Sequence, residues 1–118
     1  MNSIIKGRYG EHLAYNFVKA KGMDVLAVNY RTGPYELDIV AKEGDELVFI
    51  EVKRRKDSTV FTVNEAVTWA KRTALVKAAN RYLLEMNLIH LTGRFDVIYL
   101  AEQRDGAFCL YHIENAFY

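Results

Sequence analysis

The stretch that most constrains this chain runs from Tyr35 to Lys53, YELDIVAKEGDELVFIEVK. Two apolar-rich segments flank Glu43-Gly44-Asp45, a turn signal, so the spacing predicts a β-hairpin. The second segment carries Leu47-Val48-Phe49-Ile50, an unbroken apolar run of the kind found in the middle of a sheet covered on both faces. Charge then intrudes where a central strand tolerates it least. Glu51 and Lys53 end the run, and Asp38 interrupts the neighbouring strand. Side chains alternate faces along a strand. On that rule Glu36, Asp38 and Val40 share one face of the first strand, with Leu37, Ile39 and Ala41 on the other. Phe49, Glu51 and Lys53 share a face of the second. An acid on each of two adjacent strands, with a lysine one pleat beyond, suits a divalent cation. Hard cations take carboxylate oxygens, and the lysine can meet negative charge on a substrate. The competing reading is a cross-pleat ion pair at a strand end, with Asp38 and Glu36 as solvated edge charges.

The remaining elements are legible from periodicity. Ser3 to Lys21 reads as a helix with Leu13, Ala14, Phe17 and Val18 on its apolar arc. Gly7 and Gly10 lie inside that arc and permit a close approach. Glu11 falls at the border of the arc, where an acid can reach the edge of a sheet; the alternative is an ordinary solvated helix residue. Lys21-Gly22 ends the helix. Asp24 to Tyr30 is a short strand. Arg54-Arg55-Lys56-Asp57-Ser58 follows Lys53 directly and is the strongest basic cluster in the chain, just past the candidate site; the bland reading of such a run is a solvated loop. Thr62-Val63-Asn64-Glu65 is a capping box opening a second helix to about Met86. Within it Lys71 lies on the Val67/Leu75/Ala78 arc, while Arg72 and Lys77 are expected to point outward. Gly93 to Ala101 and Ala107 to Ile113 are two further strands, joined by Arg104-Asp105-Gly106. Asp96 is read as structural or as support for the site. The aromatic ending is expected to dock on the core. The order is α-β-β-β-α-β-β.

At 118 residues, 51% hydrophobic and 26% charged, the chain suits one globular domain, taken as 1–118. A net charge of +1 gives no global attraction to nucleic acid, so any binding must come from a local patch. Met1 to Gly22 carries glycines and charges where a signal peptide needs an apolar core, and no segment approaches membrane-spanning length. The one cysteine, Cys109, excludes an internal disulfide and suits a reducing, cytoplasmic setting. His12, His90 and His112 lack zinc-ligand spacing, and no glycine-rich phosphate loop follows a strand.

An ordered set of short motifs spans nearly the whole chain. It runs Gly7-Arg8-Tyr9-Gly10-Glu11, Asn29-Tyr30-Arg31, Glu36-Leu37-Asp38, Phe49-Ile50-Glu51-Val52-Lys53, Ala66-Val67 with Lys71, Arg94-Phe95-Asp96-Val97 and Ile113-Glu114-Asn115-Ala116-Phe117. Together these resemble the YraN family of endonuclease-like proteins. Through it they resemble the PD-(D/E)xK nuclease superfamily, which includes the archaeal Holliday-junction resolvases. The resemblance implies an α/β, restriction-endonuclease-like fold: a mixed central sheet flanked by helices. It implies a metal site of Asp38, Glu51, the backbone carbonyl of Val52, and Glu11, with Lys53 as the signature lysine. Three positions depart from the pattern. Leu37 stands where the superfamily's name has proline, Tyr35 precedes Glu36 where glycine is usual, and Thr62 follows Phe61 where glycine is expected. None touches the acids or Lys53.

The expected function is therefore Mg²⁺- or Mn²⁺-dependent hydrolysis of DNA phosphodiesters, with branched, junction-like DNA as one substrate class; an RNA-processing nuclease using the same site is a third reading. Asp38, Glu51, Lys53 and Glu11 are the expected catalytic residues. Arg54, Arg55, Lys56, Lys71 and Arg72 are the expected backbone contacts. A homodimer is expected, because the second helix is apolar around more of its circumference than a small domain covers. The alternative is a non-catalytic nucleic-acid or protein-binding module on a nuclease fold.

Overall fold

The protein is described by a computed structural model covering residues 3–56 and 63–117. Its elements are α1 (Ser3–Ala20), β1 (Asp24–Thr32), β2 (Tyr35–Glu43), β3 (Glu46–Lys56), α2 (Val63–Ala66), α3 (Trp69–Glu85), β4 (Thr92–Glu102) and β5 (Phe108–Phe117). The five strands form one sheet in the order β1-β2-β3-β4-β5. Every neighbouring pair is antiparallel except β3 and β4, which run parallel. A parallel pair needs a long crossover, and α2 and α3 supply it. The result is the mixed α/β arrangement that the resemblance implies.

The predicted apolar run explains why β3 lies at the centre. Leu47 and Phe49 join a core with Leu75, Ala78 and Tyr82 of α3. Val48 and Ile50 join a second core with Ala14 and Val18 of α1. A strand apolar on both faces is stable only between two layers, and burying such side chains contributes roughly 1.5–3 kcal/mol each. Tyr82 packs edge-on against Phe49 and Tyr30, seating α3 on β1 and β3. Arg81 and Glu85 fasten the same helix to Thr32. The expected docking of the ending also holds for Phe117, which is buried and stacked 4.8 Å from Phe95. No helix among the described residues is long and apolar enough to cross a membrane.

Three expectations are corrected. The second helix is not continuous from Thr62. It breaks at Val67–Thr68, and Thr68 caps α3 by accepting the Lys71 backbone N–H; Thr62 itself lies outside the described residues. The basic run Arg54–Lys56 is strand rather than loop, because β4 pairs alongside it as far as Lys56–Glu102. Last, Leu37 does not share a face with Ile39 and Ala41. Leu37 packs in the α3-side core, whereas Ile39 and Ala41 pack on the α1 side. The face changes at Asp38. Across the ladder, between the registered pairs Val28–Ile39 and Tyr30–Leu37, Asn29 adopts a left-handed φ of 52°. That conformation is uncommon outside glycine, although asparagine tolerates it. Strict alternation fails there.

Candidate active site

The site lies where β2 and β3 part. Their pairing runs from Glu43–Glu46 to Ile39–Ile50 and goes no further, while β3 continues beside β4. Past the break, the Val52 N–H reaches toward β2 and finds a side chain: Asp38 Oδ2 accepts it at 2.9 Å. Glu51, one residue back on β3, brings its carboxyl against that of Asp38. The side chain of Glu51 is only 6% exposed, and its Oε2 is buried with no hydrogen-bond partner. Lys71 of α3 approaches that oxygen to 3.5 Å, an ion-pair distance rather than a good hydrogen bond.

The electrostatic consequence falls on Asp38. Burial pushes its pKa up, and the adjacent Glu51 carboxyl pushes it further, to about 8. The Val52 N–H and Lys71 pull the other way without cancelling this. Two carboxyls forced together in a poorly solvated place cannot both ionise cheaply. The arrangement therefore favours either a shared proton or a cation.

Asp38 and Val52 also line a cavity of about 160 Å³ with Gly10 and Glu11 of α1, Arg54 of β3 and Leu100 of β4. Gly10 favours this close approach, since a Cβ there would stand 3.1 Å from Leu100 Cδ1, tighter than an ordinary contact. Glu11 is exposed, and Asn29 Nδ2 donates to its Oε2 at 3.5 Å. A second cavity of about 260 Å³ contains Lys71 together with Arg31, Tyr35 and Glu36. The acid pair is thus reached from the α1 side through Asp38 and approached from the α3 side by Lys71.

The predicted residues come together unevenly. Asp38, Glu51 and Val52 meet as expected. By strand alternation Lys53, half-buried, takes the same face as Glu51. Glu11 shares the cavity with Asp38. Among the described residues, however, no three of His, Cys, Asp and Glu gather closely enough to hold a metal, so Glu11 does not complete a third side-chain ligand. Its carboxylate accepts instead from Asn29. Lys71 reaches the site as anticipated. Arg72 does not point outward and is removed from the expected backbone contacts. It is 6% exposed, donates to Val67 O and Asn64 Oδ1, and lies over the Trp69 and Phe117 rings. It ties the α2–α3 break to the core. Arg55 and Lys56 are exposed, but Arg54 turns into the cavity wall. Its place there, and that of Asn29 beside Glu11, escaped the sequence reading. The register that puts Arg54 under α1 comes from β4, where its partner Leu100 lies 46 residues downstream.

Asp96, the other acid of interest, stands apart from this cavity. It is fully buried and accepts from Arg94, from His112 Nε2 at 2.8 Å and from the Asn115 N–H at 2.9 Å. Its role is structural.

Residues 10–100 match the model of a family described as "Uncharacterised protein family UPF0102". The chain is 40% identical to a UPF0102 protein of Clostridioides difficile, over 99% of this chain and 100% of that one. It is 40% identical to a UPF0102 protein of Carboxydothermus hydrogenoformans, over 98% and 97% respectively. It is 42% identical to one from Syntrophotalea carbinolica, over 86% and 82%.

Proposed function

The chain belongs to the UPF0102 (YraN) family, and from that premise we propose that it is a metal-dependent endonuclease that hydrolyses DNA phosphodiester bonds. One observation carries the reading: Asp38 and Glu51 are pressed together where β2 leaves β3, with the buried Glu51 Oε2 lacking a hydrogen-bond partner. Evolved cores pair their buried carboxylates. A pair left short of donors and repelling each other fits a divalent cation.

Asp38 and Glu51 would hold that ion, with the Val52 carbonyl as a backbone ligand and Glu11 reaching it through water. Mg²⁺ suits few carboxylates and several waters, and Mn²⁺ would substitute. Such an ion supplies Lewis-acid polarisation of a phosphoryl oxygen and a bound water acidic enough to serve as nucleophile. The chain's own residues do the rest. Lys53, on the face of Glu51, donates from Nζ to the attacking water or to the charge developing on the phosphate. Lys71 neutralises Glu51 until substrate arrives and then turns to phosphate. Arg55 and Lys56 hold the backbone without reading sequence. A closed two-fold dimer would present two such sites to the two strands of a branched substrate.

The second reading, a binding module without catalysis, rests on Lys71. Its ammonium already stands 3.5 Å from Glu51 Oε2 and could be the resident cation of a purely structural cluster. Incubating purified protein with junction, flap, single-stranded, duplex and RNA substrates separates the two. The nuclease reading expects cleavage that needs Mg²⁺ or Mn²⁺ and stops with chelator. Binding without cleavage on every substrate would favour the module.

A further inference from the structure

Arg54 is the least expected member of the cavity. Its Nη1 is buried and has no hydrogen-bond partner. Arginine supplies five donors and stays charged under all ordinary conditions. Leaving one of those donors buried and unmet costs free energy, so such a group is informative about what the cavity takes. No ion pair of Arg54 occurs among the described residues, although Glu11 and Asp38 line the same cavity. The neighbouring Arg55 and Lys56 are exposed and need no explanation of this kind.

The cavity is therefore bipolar. Its lining residues include the acids Asp38 and Glu11 together with the cation Arg54, whose buried Nη1 stands behind the wall. At about 160 Å³ it holds roughly five waters' worth of volume, which is room for a tetrahedral anion and little more. Gly10 keeps that room open, since its missing side chain would sit 3.7 Å from Arg54 Cδ and closer still to Leu100.

We propose that Arg54 is the phosphate-binding residue of this cavity, holding one phosphate group of the nucleic acid against the acid pair from the α1 side. It deepens the nuclease reading and rests on it for the identity of the substrate, but not for the existence of the anion site. Guanidinium and phosphate match in geometry and charge. The ligand is a phosphate group, either an internal phosphodiester or a terminal phosphate. The fit of cation to carboxylates and anion to guanidinium is mutual, so Mg²⁺ strengthens phosphate binding.

The test is the melting temperature of the full chain during titration with inorganic phosphate, with Mg²⁺ present. Wild type, Arg54→Met, Arg54→Lys and the remote charge control Arg104→Met are compared. Phosphate should raise the melting temperature of wild type and of Arg104→Met alike. Arg54→Met should lose the response, and Arg54→Lys should keep a weaker one. Without phosphate, Arg54→Met should melt at or above wild type, because it removes a buried unmet donor. Should Arg54→Met fail to fold, the weakened response of Arg54→Lys carries the comparison. Absence of any phosphate response in wild type, or an undiminished one in the Arg54 variants, overturns the proposal.

Binding of short oligonucleotides in Ca²⁺ identifies the source of the phosphate. Loss of about tenfold affinity in Arg54→Met with hydroxyl-ended and 5′-phosphorylated strands alike assigns an internal phosphodiester. Loss with the phosphorylated strand alone assigns a terminal phosphate. Loss with neither contradicts the site. Cleavage is read separately: a phosphate response through Arg54 without cleavage sinks the nuclease reading and leaves this site standing. Cleavage without that response does the reverse.

Discussion

The sheet sets two carboxylates beside left-handed asparagines, Asp96 fully buried and Asp38 half-buried, and treats them oppositely. Asp96 lies where the β4–β5 register slips, near Asn115 with φ 52°. Asp38 lies across from Asn29, also at φ 52°. Burial raises the pKa of either acid. For Asp96 that effect is overcome by hydrogen bonds from His112, Arg94 and the Asn115 N–H, and its pKa is lowered. Arg94 in turn is held by Glu43 and Glu46, and its pKa is raised first by its hydrogen bond to Asp96. Lys21 Nζ lies 3.2 Å from His112 Nδ1, which assigns the proton to Nε2, facing Asp96. For Asp38 a single backbone N–H and a lysine face burial and a second carboxyl, and the pKa is pushed up to about 8. A satisfied buried charge serves stability. An unsatisfied pair keeps capacity for something that binds.

The largest expected effect comes from breaking the satisfied side. Asp96→Ala leaves Arg94 and His112 without their shared acceptor inside the fold. It should destabilise by about 3–5 kcal/mol, seen as a shift in the urea midpoint. A loss under about 1 kcal/mol would mean that the network contributes little.

The same kind of change at Asp38 should have the opposite sign. Asp38→Asn keeps the shape and the acceptor for Val52 N–H while removing the repulsion with Glu51. In chelator at pH 8 it should raise stability by on the order of 1 kcal/mol, or about 4 °C in melting temperature. A clear fall would place Asp38 among the structural charges with Asp96.

The pH dependence sharpens the contrast. Asp38 titrates near 8 in the folded chain and near about 3.9 unfolded. The folded state therefore binds its proton more tightly. The associated stability is fully present below about pH 4 and is lost as pH rises toward 8. Asp96 behaves conversely. Its lowered pKa gives stability that is present above about pH 4 and is lost as pH falls through the folded value. In chelator, Asp38→Asn should flatten the slope between pH 4 and 8, and Asp96→Asn should flatten the acid limb. Melting curves across pH read both.

The smallest effect is stabilisation by the ion itself. At pH 8, Mg²⁺ should raise the melting temperature of wild type by mass action, less at pH 5, and not at all in Asp38→Asn. Equal shifts in both proteins would locate the ion elsewhere.

Much of this contrast was readable in the chain, and the part that was not has a common cause. The turn at Glu43-Gly44-Asp45, the two-faced run of β3 and the charges that end it are local signals. They placed Asp38 and Glu51 on neighbouring strands. Asp96 reads as structural or supporting, but two of its partners, His112 and Asn115, come from 16 and 19 residues away, beyond any local pattern. A solvated loop is the bland reading of three cations in a row; pairing with β4 makes Arg54–Lys56 strand instead. Arg72 was expected outside because helical angles were counted through Val67–Thr68, where the helix breaks. The face change at Asp38 lies directly across from Asn29, whose φ is 52°. Asparagine is the residue type that tolerates it, so that residue was the available hint.

The central claim is that the Asp38–Glu51 pair exists for a cation rather than for the fold. It is tested most directly by measuring two quantities on Asp38→Asn and Glu51→Gln: melting temperature in chelator, and Mg²⁺-dependent cleavage of a junction substrate. The account predicts that melting temperature holds or rises while cleavage falls on the order of 10²-fold or more, with DNA binding retained through other phosphate contacts. Cleavage unchanged in both variants, alongside a clear drop in melting temperature, would contradict it.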